Sequence, residues 1–65
     1  MHYCLCIYEP RGDNGLEGFL LNSIYKYEKK KDSQGFYYRI FPIFGYDYYE
    51  TCGPNVFKKH FKEVM

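Results

Sequence analysis

Apolar and polar residues alternate along much of the chain with a period of two, which is typical of half-buried β-strands. Runs rich in Tyr, Phe and Ile occupy residues 3–8, 23–29, 36–41 and 46–51, and polar or turn-forming residues separate them. These residue types fit a pleated surface that is buried on one side. The pattern therefore predicts four strands.

The first run, YCLCIY, is too short for a helix and ends at Glu9-Pro10. Its even-numbered and odd-numbered positions are both apolar, so periodicity leaves open which face is buried. Residues 9–18, EPRGDNGLEG, are predicted to form a loop. The tripeptide Arg11-Gly12-Asp13 occurs in many integrin ligands, but here we interpret it as turn chemistry.

In the second run, Tyr25 and Tyr27 are predicted to face the core because the opposite face, Ile24, Lys26 and Glu28, is mixed. Residues 29–35, KKKDSQG, are predicted to form an exposed connection to the next strand. Consecutive lysines there also discourage pairing with another sheet edge.

More than half of the Phe and Tyr residues lie in the central stretch at residues 36–51. Its first strand has one face without Arg39, formed by Phe36, Tyr38 and Ile40, and we predict that this face is buried. Proline has no N–H to donate to a ladder, so Pro42 predicts that this strand either ends near it or lies at an edge of the sheet. Gly45 turns the chain into a second strand at residues 46–51, which completes a hairpin with aromatic residues on both faces.

The last segment changes period. Gly53-Pro54 is typical of a helix start, and Phe57, Phe61 and Val64 then recur at spacings of four and three. This predicts a short amphipathic helix that packs its Phe residues on the sheet. A closing strand at the final residues is the alternative.

Composition restricts the class of protein. At 65 residues the chain forms one domain near the lower size limit for independent folding, and its 46% hydrophobic and 23% aromatic content argues against disorder. The net charge of +1 argues against a nonspecific DNA binder and a DNA mimic. No apolar run reaches the ~20 residues of a membrane span, and the N-terminus lacks signal-peptide features, so we expect a cytoplasmic location.

Three cysteines raise the question of a metal site or a nucleophile. Cys4, Cys6 and Cys52 with His60 form an incomplete zinc pattern, which we keep as an alternative. The default interpretation is that free cysteines behave as small buried hydrophobes. Cys52, His60 and an acidic residue do not amount to a catalytic signature, so we predict no enzyme activity and no cofactor.

Single-stranded nucleic-acid binding is a second alternative, because small barrels present aromatic rings beside basic residues for base stacking. The near-neutral charge does not favour it. Its basic residues would be Arg39, Lys29, Lys30, Lys31, Lys58 and Lys59, with Tyr37, Tyr46, Tyr48 and Tyr49 for stacking.

The segments LEGFLLNSIYKYE, GFYYRIF, GYDYYETC and VFKKHFKEV, in this order, resemble small SH3-like barrel proteins of phages that infect Gram-positive bacteria. The chain departs from that pattern at Asn22-Ser23, where the family has glycine and lysine, and at the apolar segment 41–44. The resemblance implies a non-enzymatic viral accessory protein that binds and blocks a host enzyme or an anti-phage defence complex.

We therefore predict a mainly β domain over residues 1–65: a bent antiparallel sheet or SH3-like barrel of four to five strands with a short C-terminal helix. The predicted function is a protein-binding module and inhibitor of a host protein, with a homodimer through the hairpin as a further possibility. The predicted contact residues are Phe41, Ile43, Phe44, Tyr46, Tyr48 and Tyr49.

Overall fold

The computed structural model describes residues 2–11 and 16–64, so Gly12 and Asp13 of the predicted turn lie outside the described residues. Within the described part, five strands form one sheet and a short helix lies between the last two strands. The elements are β1 (His2–Cys6), β2 (Ile24–Asp32), β3 (Gly35–Phe41), β4 (Glu50–Cys52), α1 (Pro54–His60) and β5 (Phe61–Glu63).

The sheet has the order β4-β3-β2-β1-β5, and every neighbouring pair is antiparallel. This confirms the predicted mainly β class, a bent antiparallel sheet with a short helix near the C-terminus. The sheet is open rather than closed into a barrel, because β4 and β5 lie at opposite edges.

One face of the sheet, here called the inner face, forms the core. Cross-strand register places Cys4 beside Tyr25 and Tyr27 beside Ile40 on this face. Helix α1 covers it, and the ring of Phe57 stacks on that of Tyr38 with centroids 3.9 Å apart. The loop after β1 adds two further buried side chains, Leu16 and Phe19. The prediction that Tyr25 and Tyr27 face inward is confirmed, with Tyr27 buried and Tyr25 packed at the margin of the core.

The structure resolves the orientation of β1. Cys4 and Cys6 are fully buried on the inner face. The strand ends at Cys6, earlier than predicted, because the chain then turns toward the helix. The backbone N–H groups of Ile7 and Tyr8 both donate to the carbonyl of His60, at 2.9 and 3.4 Å.

The prediction of a connection over residues 29–35 is wrong. Strand β2 continues to Asp32, and only residues 33–34 separate it from Gly35, the first residue of β3. Gly35 has a φ of 125°, a value that non-glycine residues rarely adopt. The lysines are compatible with a strand here because Lys29 extends over the Phe36 ring, 4.7 Å from its centroid, and keeps its charge exposed. Phe36 shares the face of Tyr38, as predicted, but it lies half exposed at this projecting end.

The predicted strand over residues 46–51 is also wrong in extent. Strand β4 covers only Glu50–Cys52 and pairs with residues 38–40 of β3. Residues 42–49 instead form a wide loop, here called the aromatic loop. Pro42 has no N–H to continue the ladder, and Gly45, with a φ of 87°, turns the chain.

The C-terminal segment contains both of the predicted elements, the helix first and the closing strand directly after it. Helix α1 begins at Pro54 and ends at His60, and Phe61 then starts the closing strand β5, which pairs with β1. Phe57 and Phe61 are buried, as predicted. Val64, predicted for the same helix face, lies beyond β5 and is exposed, because strand pairing from Phe61 onward ends the helical period.

Candidate functional site: an apolar groove beside the aromatic loop

The face opposite the core is here called the outer face, and no helix within residues 2–11 and 16–64 lies on it. Tyr3, Lys26 and Phe41 lie side by side on it, since Tyr3 pairs with Lys26 across β1 and β2, and Lys26 pairs with Phe41 across β2 and β3. Ile24 precedes Lys26 by two residues and shares this face. The outer face therefore presents apolar and aromatic side chains at the end of the sheet where β2 begins and β3 ends.

The aromatic loop folds back over part of this face. Phe41, a predicted contact residue, is only 8% exposed, because the ring of Tyr49 meets it edge to face at 5.7 Å. Arg39 in turn lies over the Tyr49 ring, 4.7 Å from its centroid. Phe41 and Tyr49 thus support the loop from beneath, and Phe41 is accessible only as the floor of the site.

The rest of the loop projects into solvent. Phe44 is 84% exposed and Tyr46 66%, and Ile43 and Tyr48 are also exposed. The Tyr48 hydroxyl donates to the Glu50 carboxylate, and this hydrogen bond raises the pKa of Tyr48. The structure therefore exposes five of the six predicted contact residues, with Tyr49 the least exposed of the five, and buries only Phe41.

Between the aromatic loop and the outer face lies an open groove with a volume of about 410 Å³. Phe41 and Pro42 line it beside β3, and Phe44 and Tyr46 line it from the loop. The lining residues that the sequence-based prediction of the contact surface did not include lie mainly on β1 and β2, and three of them are Tyr3, Ile24 and Lys26.

One of these three had a signal in the sequence. Ile24 lies on the mixed face of its strand, so the prediction that Tyr25 and Tyr27 face inward already placed an isoleucine on the outside. Its exposed fraction of 62% is large for an apolar strand residue. Tyr3 had no comparable signal, because its position beside Lys26 follows only from the register of β1 against β2.

Lys26 is the charged side chain of the groove. Its Nζ atom lies 4.2 Å from the centroid of the Phe41 ring, within the range of a cation–π contact. It forms no ion pair with any carboxylate of the described residues. Glu28, the acidic residue two positions along the same face, instead approaches Lys30 at 3.8 Å and Arg39 at 3.9 Å.

The basic residues of the nucleic-acid alternative do not gather on one surface of the sheet. Lys29 and Lys31 share the face of Tyr38, whereas Lys30 and Arg39 lie on the outer face beside Glu28. The Arg39 guanidinium lies over the Tyr49 ring and its Nη2 donates to the Tyr37 hydroxyl at 3.5 Å. The remaining two, Lys58 and Lys59, are on α1.

The side chains of the zinc alternative are not brought together as a metal site. Among residues 2–11 and 16–64 no group of three or more His, Cys, Asp or Glu side chains is placed to hold a metal ion. Burial raises the pKa of the Cys4 thiol to about 12 and that of Cys52 to about 11. Both thiols are therefore protonated near pH 7, with Cys4 in the core and Cys52 packed against it.

His60 is buried and holds residues of the fold together through its contacts with Tyr8. It is 1% exposed, and its Nδ1–H donates to the Tyr8 carbonyl at 2.5 Å. Its ring also stacks on that of Tyr8, with centroids 5.2 Å apart. The other ring nitrogen, Nε2, has no hydrogen-bond partner in the described part of the chain, so His60 is not paired with Cys52 as a base.

Comparison with known proteins identifies no relative, since no protein family, curated protein sequence or solved structure matches this chain. No helix within the described residues has both the length and the apolar character needed to cross a membrane.

Proposed function

We propose that this chain is a non-enzymatic protein-binding module that holds its partner through the aromatic loop and the adjoining groove. The observation that carries the proposal is the exposure of Phe44, Tyr46 and Tyr48 on one loop, next to an apolar groove. Clustered apolar surface of this kind is typical of protein interaction sites, and Tyr is enriched in the residues that dominate binding energy.

The packing beneath the aromatic loop also favours binding. Phe41, Tyr49 and Arg39 pack beneath it, so part of its conformation is set before a partner arrives. A surface that is ordered in advance loses less conformational entropy on binding. The resemblance to small phage proteins supports the finer proposal, that the partner is a host enzyme or an anti-phage defence complex which this protein blocks.

The test is an affinity pull-down from a lysate of a Gram-positive bacterium, with nuclease treatment and mass spectrometry, using the tagged chain and two double variants. The loop variant is Phe44→Ala with Tyr46→Ala. The matched control is Phe36→Ala with Tyr8→Ala, which removes one exposed Phe and one exposed Tyr from other surfaces. Circular dichroism of all three proteins checks that each is folded.

We expect one host protein, in near-equal amount, to be retained by the parent and by the control and to be lost from the loop variant. Retention by a folded loop variant would assign the binding to another surface. Recovery of nucleic acid that disappears at high salt would instead favour the nucleic-acid alternative, because phosphate contacts weaken steeply as salt rises. A homodimer would appear as a concentration-dependent increase in mass by sedimentation.

A further inference from the structure

We propose that the groove takes one large apolar side chain of the partner, and that a carboxylate next to that side chain binds the Lys26 ammonium. This inference rests on the proposed function, since it names the chemistry that the binding surface recognises. It concerns the groove, whereas the proposal above rests on the exposed rings of the aromatic loop.

The size of the groove and the residues that line it indicate what kind of group it can hold. A volume of about 410 Å³ lies in the range of sites that enclose a small ligand or a single side chain with its flanking atoms. Phe41 forms an aromatic floor, and Ile24, Pro42 and Phe44 form apolar walls. An aromatic or large aliphatic side chain would remove this surface from water, which is the main source of affinity at such sites.

The second step is charge. Among the described residues, Lys26 is the only charged one that lines the groove, and no described carboxylate forms an ion pair with it. Its ammonium lies over the Phe41 ring, 4.2 Å from the centroid, and therefore next to the apolar walls of the groove. A carboxylate of the partner would form a charge-assisted hydrogen bond there, strengthened as the groove is closed off from water.

The same charge argues against a second copy of this chain as the occupant. A symmetric dimer centred on the groove would bring two Lys26 ammonium groups toward each other. Like charges placed together at an interface are strongly unfavourable. An apolar segment that carries a carboxylate is complementary to the groove, and a copy of the groove itself is not.

The probes are two capped dipeptides, acetyl-Phe-Asp-amide and acetyl-Phe-Asn-amide, which have nearly the same shape and differ in charge. Binding is followed by chemical shift changes in NMR spectra of the isotope-labelled protein. We expect shifts centred on Ile24, Phe41 and Phe44, and an affinity about tenfold higher for the Asp peptide at low salt, which corresponds to about 1.4 kcal/mol. The preference should shrink as salt is added.

Two variants assign the effect. Lys26→Met keeps the apolar stem of the side chain and should bind both peptides equally, whereas the matched control Lys30→Met, on the same face but outside the groove, should keep the preference. Ile24→Asp should weaken both peptides. Because Ile24 is exposed, that variant is expected to fold, and circular dichroism checks this.

Three results would overturn the inference: no shifts at the groove, equal affinity of the two peptides for the parent, or an Asp preference that survives Lys26→Met. If the host protein depends on Phe44 and Tyr46 but not on Lys26, the proposed function stands and this inference fails. If the peptides behave as expected but no protein depends on the aromatic loop, the proposed function fails and the chemistry of the groove stands.

Discussion

The inner and outer faces of the sheet carry similar aromatic residues and expose them to very different extents. On the inner side, Tyr27 and Tyr38 of the sheet and Phe57 of α1 are between 2% and 5% exposed, because α1 packs against the inner face. On the outer face only Phe41 is buried to a similar degree, and Phe44 and Tyr46 beside it lie in solvent. The inner face is covered by a helix and the outer face by a loop that leaves a groove open.

This difference shows that residue type alone does not tell whether an aromatic side chain in so small a protein stabilises the fold or lies free on its surface. A Phe under α1 contributes to stability, since burying an aromatic side chain removes a large apolar area from water. The same residue at the tip of the aromatic loop contributes little to folding and is available for a partner. The following predictions test that separation, in order of decreasing effect.

The largest effect is expected for Phe57→Ala. Phe57 packs against Tyr27, Tyr38 and Phe61, so truncation leaves a cavity at the centre of the core. Removal of a buried Phe typically costs about 3–5 kcal/mol, a large share of the stability of a small domain. Urea unfolding followed by circular dichroism measures it, and a loss under about 1 kcal/mol would show that α1 does not close the core.

An intermediate effect is expected on raising the pH. Burial raises the pKa of Cys4 from 9.0 to about 12 and that of Cys52 to about 11, so the unfolded chain releases these protons first. The resulting stability is fully present below pH 9 and is lost as the pH rises toward the folded-state values. Between pH 9 and pH 11 we expect a loss on the order of a few kcal/mol, from these pKa differences.

The control for the alkaline transition is Cys4→Val, which keeps an apolar side chain at a buried position and removes an ionisable thiol. Its unfolding free energy should fall less steeply than that of the parent over the same pH range. Identical slopes in the two proteins would mean that the Cys4 thiol is not protected in the folded state. Outer-face residues are not involved, so partner binding below pH 9 should be unaffected by this substitution.

The smallest effect is expected for Phe44→Ala, the same chemical change as Phe57→Ala on the other face. Because Phe44 is 84% exposed, its removal should change the unfolding free energy by less than about 0.5 kcal/mol. Urea unfolding of both variants under one set of conditions gives the comparison directly. A loss of several kcal/mol would show that the aromatic loop is part of the folding core and not a separate binding surface.

Much of the architecture follows from local patterns. The alternation around Tyr25 and Tyr27 predicted the buried face of β2, and Pro54 with the Phe57 and Phe61 spacing predicted α1. The strand bounds were predicted wrongly where the local composition is typical of a loop but the chain continues as a strand. Lysines usually mark exposed connections, yet Lys29 and Lys31 extend β2, because a strand that projects from the sheet lets their charged ends remain in water.

The candidate site was only partly predictable for a different reason. Phe44, Tyr46 and Tyr48 stand out in the sequence as an excess of aromatic residues that a short chain cannot bury. Lys26 and Tyr3 do not stand out, since they join the site only through cross-strand register. Register depends on how the hydrophobic faces of separate strands align, and that information is distributed over the whole chain.

By itself, the sequence determined a mainly β fold, the positions of most strands, the short helix after Gly53 and the surplus of aromatic residues between 36 and 51. These features depend on residues close together in the chain, through backbone preference and periodicity. Only the tertiary structure decided which face of β1 is buried, where β4 begins, that the sheet stays open, and that Ile24, Lys26 and Phe41 meet in one groove. Those outcomes depend on contacts between residues far apart in sequence, which local preferences do not specify.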